Sequence, residues 1–484
     1  MLSFPIENLL IERRSGVNLH RQVYRQLRAM IEERVMPSGA ALPSTRVLAK
    51  DLQLARNTVI ATYEQLALEG FIELRRGRRP VVTGLPTYRP SAKSTADVGR
   101  SALSDRGRLL CSMPFHHGEP GTTAFHPGMP DAGNFPFNTW SRLLARRAKQ
   151  ARTDLFGSYH IPGHPMLCEA IARYLAASRG VVCSSERIVI TAGAQSAFDI
   201  LARLLTDPGD TVWMEEPGYY GAASAFRAAG ARLVPLRVTD AGWSLDPPAH
   251  PPRVIFVTPS CQHPLGLTMA MEQRLNLIRL ADKWGAWIIE DDYDSEYRFQ
   301  GRPIPALQGT APDARVVFVG TFAKILFPAM RLGYMVVPAS LRQGLKAALS
   351  ATGQFAPLIT QAALADFMND GHLTRHLRRM RGIYAERRQF FIEQLDRHLL
   401  PWIDLHGTDS GIQLVGLLRK TANDRQLAAS ANRQGINVSP LSMQYHHKPV
   451  QQGLLMGFAA ADQRTTVLAM IKLSQILKAH CGPA

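Results

Sequence analysis

Six short, mostly apolar runs set the architecture of most of this chain. They are Ile188–Thr191, Thr211–Met214, Arg232–Val234, Val254–Val257, Trp287–Ile289 and Val316–Val319. Helical stretches such as Ala194–Leu205 and Glu272–Trp284 separate several of them. That alternation predicts a mostly parallel sheet with crossover helices. A parallel sheet is covered on both faces, so its strands read as continuous apolar runs. Beyond about residue 341 the pattern is mainly helical, with weaker strands near Gly411–Leu418 and Leu454–Phe458. This predicts a smaller α+β lobe.

Open α/β sheets take ligands at the carboxyl ends of their strands. The last run stops at Gly320 and delivers Lys324 just past the strand, with Thr321 before it and Arg331 seven residues on. Withdrawn from water, a lysine has a lowered pKa and a free amine that can attack a carbonyl. Thr321 and Arg331 add a hydroxyl and a fixed cation, which suit a phosphate. A lysine after a strand is by itself more often a solvated surface residue, so the other loops decide.

Three of them carry matching chemistry. Thr191-Ala192-Gly193-Ala194-Gln195-Ser196 is a small-residue turn opening a helix. The amides of Ala194 and Gln195 can take a phosphate there, or the small residues simply turn the chain. Glu216-Pro217-Gly218-Tyr219-Tyr220 places the Tyr219 ring to stack on a flat cofactor, or to fill the core. In Ile289-Glu290-Asp291-Asp292-Tyr293, Asp291 can keep a pyridine nitrogen protonated and make the ring an electron sink. Tyr293, two residues on, lies on the same side of an extended chain. Clustered acids elsewhere are solvated or bind metals. Phosphate cradle, stacking ring, acid and imine-forming lysine together are what pyridoxal phosphate requires.

The amino-terminal stretch reads differently. Val23, Leu27, Met30 and Ile31 share one face of a helix from about His20 to Val35. Ser44 can cap a second helix, and a third runs from Arg56 to Leu68, closed by Glu69-Gly70. Strands Phe71–Leu74 and Pro80–Thr83 flank Arg75-Arg76-Gly77-Arg78-Arg79. The sum is a winged helix-turn-helix. Arg56, Asn57 and Thr58, opening the third helix, then enter the major groove of double-stranded DNA, Ser44, Thr45 and Arg46 add further DNA contacts, and Arg75, Arg76 and Arg78 lie along phosphate. A three-helix bundle with a protein-binding hairpin is the alternative. Charge decides for DNA: the chain carries a formal +17, and Arg75–Arg108 holds nine Lys/Arg against two Asp, or +7. A basic solvated linker would also explain that excess.

Two resemblances follow from these motifs. The run LPSTRVLAKDLQLARNTVIATYEQLALEGFIELRRG is similar to the winged helix of GntR-type regulators, although Ala55 stands where that family commonly has a capping serine and Arg79-Pro80 replaces small residues at the wing tip. The order of the later loops, with FHPGMPDAGNFPFNTW, EDDYDSEYRF and GTFAKILFPAMRLGY, resembles fold-type I aminotransferases over roughly 122–478. The whole chain therefore resembles the MocR/GabR family of chimeric regulators.

The resemblance implies that Lys324 forms the internal aldimine, Asp291 pairs the pyridinium nitrogen, Tyr293 the ring oxygen, and Tyr219 stacks. It implies phosphate binding by the Ala194 and Gln195 amides, Thr321 and Arg331, and by Tyr159 from a partner subunit. It further implies a head-to-tail homodimer. Ala323, Cys168 and Cys261-Gln262-His263 depart from the family's usual residues.

The expected organisation is a DNA-binding domain over 1–84, a basic linker over 85–122 and an aminotransferase-like domain over 123–484. The last divides into a large lobe to about 340 and a small lobe from about 341. The expected function is a regulator that senses pyridoxal phosphate or a small-molecule amine or amino-acid effector. A working aminotransferase with an accessory DNA-binding domain is the alternative. Five scattered cysteines with no C-x-x-C pair argue against a disulfide framework or metal site and for the cytoplasm. No apolar run is long enough to span a membrane.

Overall fold

A computed structural model describes residues 9–13, 16–75, 77–84, 103–111, 124–150, 155–157, 160–299, 301, 304–406, 410–420 and 422–482. The chain divides into two compact units, Met1–Ala102 and Leu103–Ala484.

The first unit contains α1 (Leu19–Glu32), α2 (Thr45–Asp51), α3 (Arg56–Leu68) and a hairpin of β1 (Ile72–Glu73) and β2 (Val81–Val82). The strands pair antiparallel with Ile72 opposite Val82. Val23, Leu27, Leu48, Val59, Tyr63, Leu66 and Val82 form one buried cluster, which is the apolar side of three amphipathic helices closed by the hairpin. Ser44 Oγ accepts from the Val47 amide at 3.3 Å, capping α2 as the sequence predicts. Ala55 heads α3 without any side-chain cap. The family's serine is thus missed structurally, a loss worth about 1 kcal/mol of helix stability.

In the stretch expected to be a featureless linker, α4 (Asp105–Cys111) forms, with Ser104 Oγ accepting from the Gly107 amide. It buries no residue, so it leaves no periodic apolar signal in the sequence. Residues 85–102 and 112–123 lie outside the described ones.

The second unit is built on α5 (Phe137–Gln150), α6 (Pro165–Arg179), β3 (Ile188–Thr191), α7 (Ala194–Leu205), β4 (Thr211–Glu216), α8 (Tyr220–Ala229), β5 (Arg232–Thr239), β6 (Gly242–Trp243), β7 (Val254–Val257), α9 (Met271–Trp284), β8 (Trp287–Asp292), α10 (Leu307–Thr310), β9 (Val316–Thr321) and β10 (Gly333–Val336). The strands form one eight-stranded sheet in the order β3-β10-β9-β8-β7-β4-β5-β6. β5-β4-β7-β8-β9 is parallel throughout. β10 runs antiparallel between β3 and β9. Successive side chains point to opposite faces: Val212 and Met214 pack with α7 and α8, and Trp213 packs with α9.

Two readings of the sequence need correction here. β9 does not stop at Gly320 but continues to Thr321, and Gly320 pairs with Tyr334 of β10. A Cβ at Gly320 would lie 2.3 Å from the Tyr334 ring, so this glycine serves close approach of a neighbour rather than strand termination. β10 itself went unrecognised, because its four residues follow directly on the Arg331 loop and carry no turn signal of their own.

The small lobe contributes α11 (Ala339–Thr352), α12 (Leu358–Asn369), α13 (His372–His398), β11 (Ile403–His406), β12 (Gln413–Leu418), α14 (Asp424–Asn432), β13 (Ser439–Pro440), β14 (Gly453–Gly457) and α15 (Gln463–Cys481). Its antiparallel sheet has the order β11-β12-β14-β13. Leu455 of β14 and Val415 of β12 share a core cluster with Trp213 and Ile255 of the large sheet, so the two sheets pack through one face of the smaller.

Candidate cofactor site

The carboxyl ends of β3, β4, β8 and β9 converge on a cavity of about 210 Å³. Eight of the nine residues read from the sequence as cofactor contacts line it: Ala194, Gln195, Tyr219, Asp291, Tyr293, Thr321, Lys324 and Arg331. The ninth, Tyr159, lies outside the described residues.

Register explains the carboxylate arrangement. On β8, Asp291 faces the cavity and Asp292 faces the opposite side. There Asp292 takes a two-pronged salt bridge from Arg179, at 2.7 and 3.1 Å, with both side chains buried. Asp291 has no such partner. It is 4% exposed, and its Oδ1 makes no hydrogen bond. Burial first, and the neighbouring Asp292 and Glu215 next, raise its pKa well above the carboxylate range. A ring N–H⁺ at this position would supply the missing partner and favour the anion.

Lys324 is half-buried and donates from Nζ to the Gly128 carbonyl at 2.7 Å. Burial lowers its pKa, and the charges of Asp294 and Asp291 oppose that shift. Asp294 was not read from the sequence as part of the site. It is 1% exposed, accepts from the Ile412 amide at 2.7 Å, and burial pushes its pKa up to about 8. His263 lines the same cavity, and burial followed by the Lys324 charge holds it down to about 3, so the ring is neutral at physiological pH. It meets Tyr219 and Tyr293 edge-on at 5.3 and 5.6 Å. These aromatic and polar neighbours arrive from separate loops, which a sequence reading of single motifs does not bring together.

At the other end, Gly193 heads α7 with φ +94°. The first amides of a helix have no intrahelical partner, which makes this end an anion site. A Cβ on Gly193 would lie 3.8 Å from the Arg331 guanidinium carbon. Arg331 holds that position in a left-handed conformation, φ +50°, at a cost of about 1–2 kcal/mol for an L residue. Thr321 Oγ1 accepts from the Ala323 amide at 3.2 Å, leaving its proton available. An unpaired buried carboxylate, a half-buried lysine and a cationic helix terminus fit the ring nitrogen, aldehyde and phosphate of pyridoxal phosphate.

Gly128 takes φ +63°, and an added Cβ would sit 2.2 Å from Lys324 Nζ. Gly128→Ala should therefore destabilise the protein by about 1–3 kcal/mol and displace the lysine amine. Thermal melting measures the first effect and the rate of cofactor attachment the second; an unchanged rate would count against the contact.

In the first unit, Arg46, Arg56, Asn57, Arg75 and Arg78 are exposed, while Ser44, Thr45 and Thr58 are half-buried. Thr58 lies in the first turn of α3, where its carbonyl accepts from Thr62 Oγ1 at 2.9 Å. Arg75 pairs with Glu73 within the wing at 2.7 Å. Arg76 lies outside the described residues. Among the described residues no His/Cys/Asp/Glu group could hold a metal, and no helix is long and apolar enough to cross a membrane.

Residues 130–455 match the family Aminotransferase class I and II, and residues 19–82 match the bacterial regulatory proteins of the gntR family. The chain is 48% identical over 459 residues to the probable rhizopine catabolism regulatory protein MocR of Rhizobium meliloti, covering 94% of this chain and 93% of that one. It is 28% identical over 456 residues to the pyridoxine biosynthesis transcriptional regulator PdxR of Corynebacterium glutamicum, covering 94% of each. Among solved structures, a multiple substrate aminotransferase from Thermococcus profundus superposes with a TM-score of 0.70 at 22% identity, over 78% of this chain and 97% of that one.

Proposed function

The chain belongs to the MocR-type branch of the GntR family, a helix-turn-helix unit followed by a class I and II aminotransferase domain, and from that premise we propose a DNA-binding transcriptional regulator that holds pyridoxal phosphate. It senses either that cofactor or a small amine or amino acid.

The observation that carries the cofactor half is Asp291, a buried carboxylate whose Oδ1 has no partner in the same cavity as Lys324. When bound, pyridoxal phosphate supplies an aldehyde carbon for amines and a ring that accepts electrons once its nitrogen is protonated. Lys324 would bond that carbon, and Asp291 would keep the proton on the ring nitrogen. Tyr293 would meet the ring oxygen, and Tyr219 would cover the ring. The amides of Ala194 and Gln195, with Thr321 and Arg331, would hold the phosphate; Tyr159 of a second subunit would complete it in a head-to-tail homodimer. The relatives' names support regulation but tie it to different small molecules, rhizopine catabolism in one and pyridoxine biosynthesis in the other.

Footprinting the full chain on its own upstream DNA, with and without pyridoxal phosphate, tests the reading. Protection that depends on the cofactor is expected; no protection under either condition would overturn it.

The two classes of DNA contact should separate by salt. Wing arginines neutralise phosphates, so Arg75→Ala and Arg78→Ala should each flatten the log–log salt dependence of binding by about 0.9. The Arg75–Glu73 pair is solvent-screened and open to exchange for a phosphate. Arg56 opens the recognition helix, where a bidentate base contact gives ~1–3 kcal/mol of discrimination. Arg56→Ala should therefore lower specificity more than it changes the slope. A slope unchanged in both wing variants would remove the wing from the interface.

A further inference from the structure

The segment 9–13, ahead of α1, belongs to no helix or strand, yet its backbone is held in register. Leu9 is buried in the core of the first unit and Ile11 packs against it, while Leu10 and Glu12 are exposed. That alternation is what an extended chain produces. Two glutamines of α1 fix it. Gln26 accepts from the Leu10 amide at 2.8 Å and donates to the Leu10 carbonyl at 2.6 Å. Gln22 does the same for Glu12, at 2.9 and 3.0 Å. The same Gln22 Nε2 also donates to the Val17 carbonyl at 2.8 Å, so one side chain ties both ends of the stretch 12–17.

The two periods match. Four residues of helix advance about 6.0 Å and two residues of extended chain about 6.6 Å, so amides one helical turn apart can grip alternate residues of the segment. The order is antiparallel, with Gln22 on Glu12 and Gln26 on Leu10.

This register delivers Arg13 to the helix-turn-helix. Its Nη2 donates at 2.8 Å to the carbonyl of Gln53, in the turn between α2 and α3. Gln53 takes φ +53°, a left-handed conformation that is unfavourable for an L residue, and a fixed donor on its carbonyl steadies the turn. Arg56 opens the recognition helix three residues later. Arg13 is exposed, and among the described residues it makes no other hydrogen bond and no ion pair. Arg28 and Arg75, by contrast, are matched by Glu32 and Glu73. A guanidinium carries a planar fork of N–H donors, and one donor on a carbonyl leaves the others for phosphate oxygens.

We propose that Arg13 is a DNA-phosphate contact, carried on an N-terminal arm that Gln22 and Gln26 set in register beside the recognition helix. The proposal rests on the DNA-binding reading above and adds to it an element that precedes the three helices. A phosphate contact holds no sequence information, so the arm contributes to affinity and to the placement of the unit on the duplex.

The test follows binding of the full chain to a labelled duplex from its own upstream region across a salt series. Arg13→Ala and Arg13→Gln should each flatten the log–log salt dependence by about 0.9, the loss of one phosphate contact. Arg13→Lys should keep the slope. Glutamine can still donate to the Gln53 carbonyl, so a residue that only steadies the turn would leave the slope of Arg13→Gln unchanged, and that result overturns the proposal. Gln22→Leu releases Glu12 and Val17 and should flatten the slope by the same amount, with nothing further lost when Arg13→Ala is added. Additive losses overturn the part given to the arm. Thermal melting shows which variants stay folded, and Arg13→Gln, on an exposed side chain, carries the test independently of Gln22→Leu. An unaltered chain that binds no duplex overturns the regulator reading instead, and this proposal with it.

Discussion

Lys324→Ala should abolish covalent attachment of pyridoxal phosphate. The unaltered chain should gain the visible absorbance of a lysine-bound cofactor, and borohydride should fix the label to the peptide containing Lys324; the variant should show neither. The geometry makes the expectation specific. Lys324 lines the cavity together with Asp291, Thr321 and Arg331, and burial lowers its pKa. A lowered pKa means that the neutral amine is populated at lower pH than in a surface lysine. The attachment rate should therefore rise with pH through a midpoint below that of free lysine. Ligand held at a hundredfold over its Kd stabilises the folded state by about 2.7 kcal/mol. The variant should lose much of the rise in melting temperature that pyridoxal phosphate gives the unaltered chain. A label on another lysine, or an unaltered band in the variant, would dismiss the assignment.

The second large expectation is an absence of turnover. Aminotransferases orient a substrate carboxylate with a fixed, bidentate cation, and orientation of this kind supplies several kcal/mol of a reaction's barrier. A second chamber beside Lys324 has Leu455 where such a cation would project, and Arg331 lines the cofactor cavity but not this chamber. Common α-amino acids should be turned over at least ~10³-fold more slowly than the roughly 10 s⁻¹ typical of enzymes. The measurement is keto-acid formation by the cofactor-loaded chain with a panel of amino acids and an amino acceptor. Ordinary aminotransferase rates with any of them would make this a working enzyme with an accessory DNA-binding unit.

Much of this was legible in the sequence because strand and helix periods are local. Ala194–Leu205 and Arg56–Leu68 span the residues that their apolar spacing predicts, although neither has a side-chain N-cap. The cavity was legible because four loops each kept one residue of distinctive chemistry at a strand's carboxyl end. What escaped depends on contacts between segments far apart in the chain. Asp294 looks like one more acid in a polar run until Ile412 and Lys324 are folded beside it. β10 was missed because strand reversal inside a parallel sheet is a property of pairing, and four residues carry too little pattern to announce it.

The hydrogen bond from Lys324 to Gly128 has a mechanical side. Phe125 forms a bridge to Gly457 of β14, and the Gly457 amide donates to the Phe125 carbonyl at 2.9 Å. A Cβ on Gly457 would lie 2.0 Å from the His126 carbonyl oxygen, so the strap at 125–128 is pressed against the small sheet at one end and tied to the lysine at the other. Once the lysine nitrogen is engaged elsewhere, the Gly128 carbonyl loses its donor and must find another. Amide exchange across 125–130 should therefore change as the cofactor is added and removed.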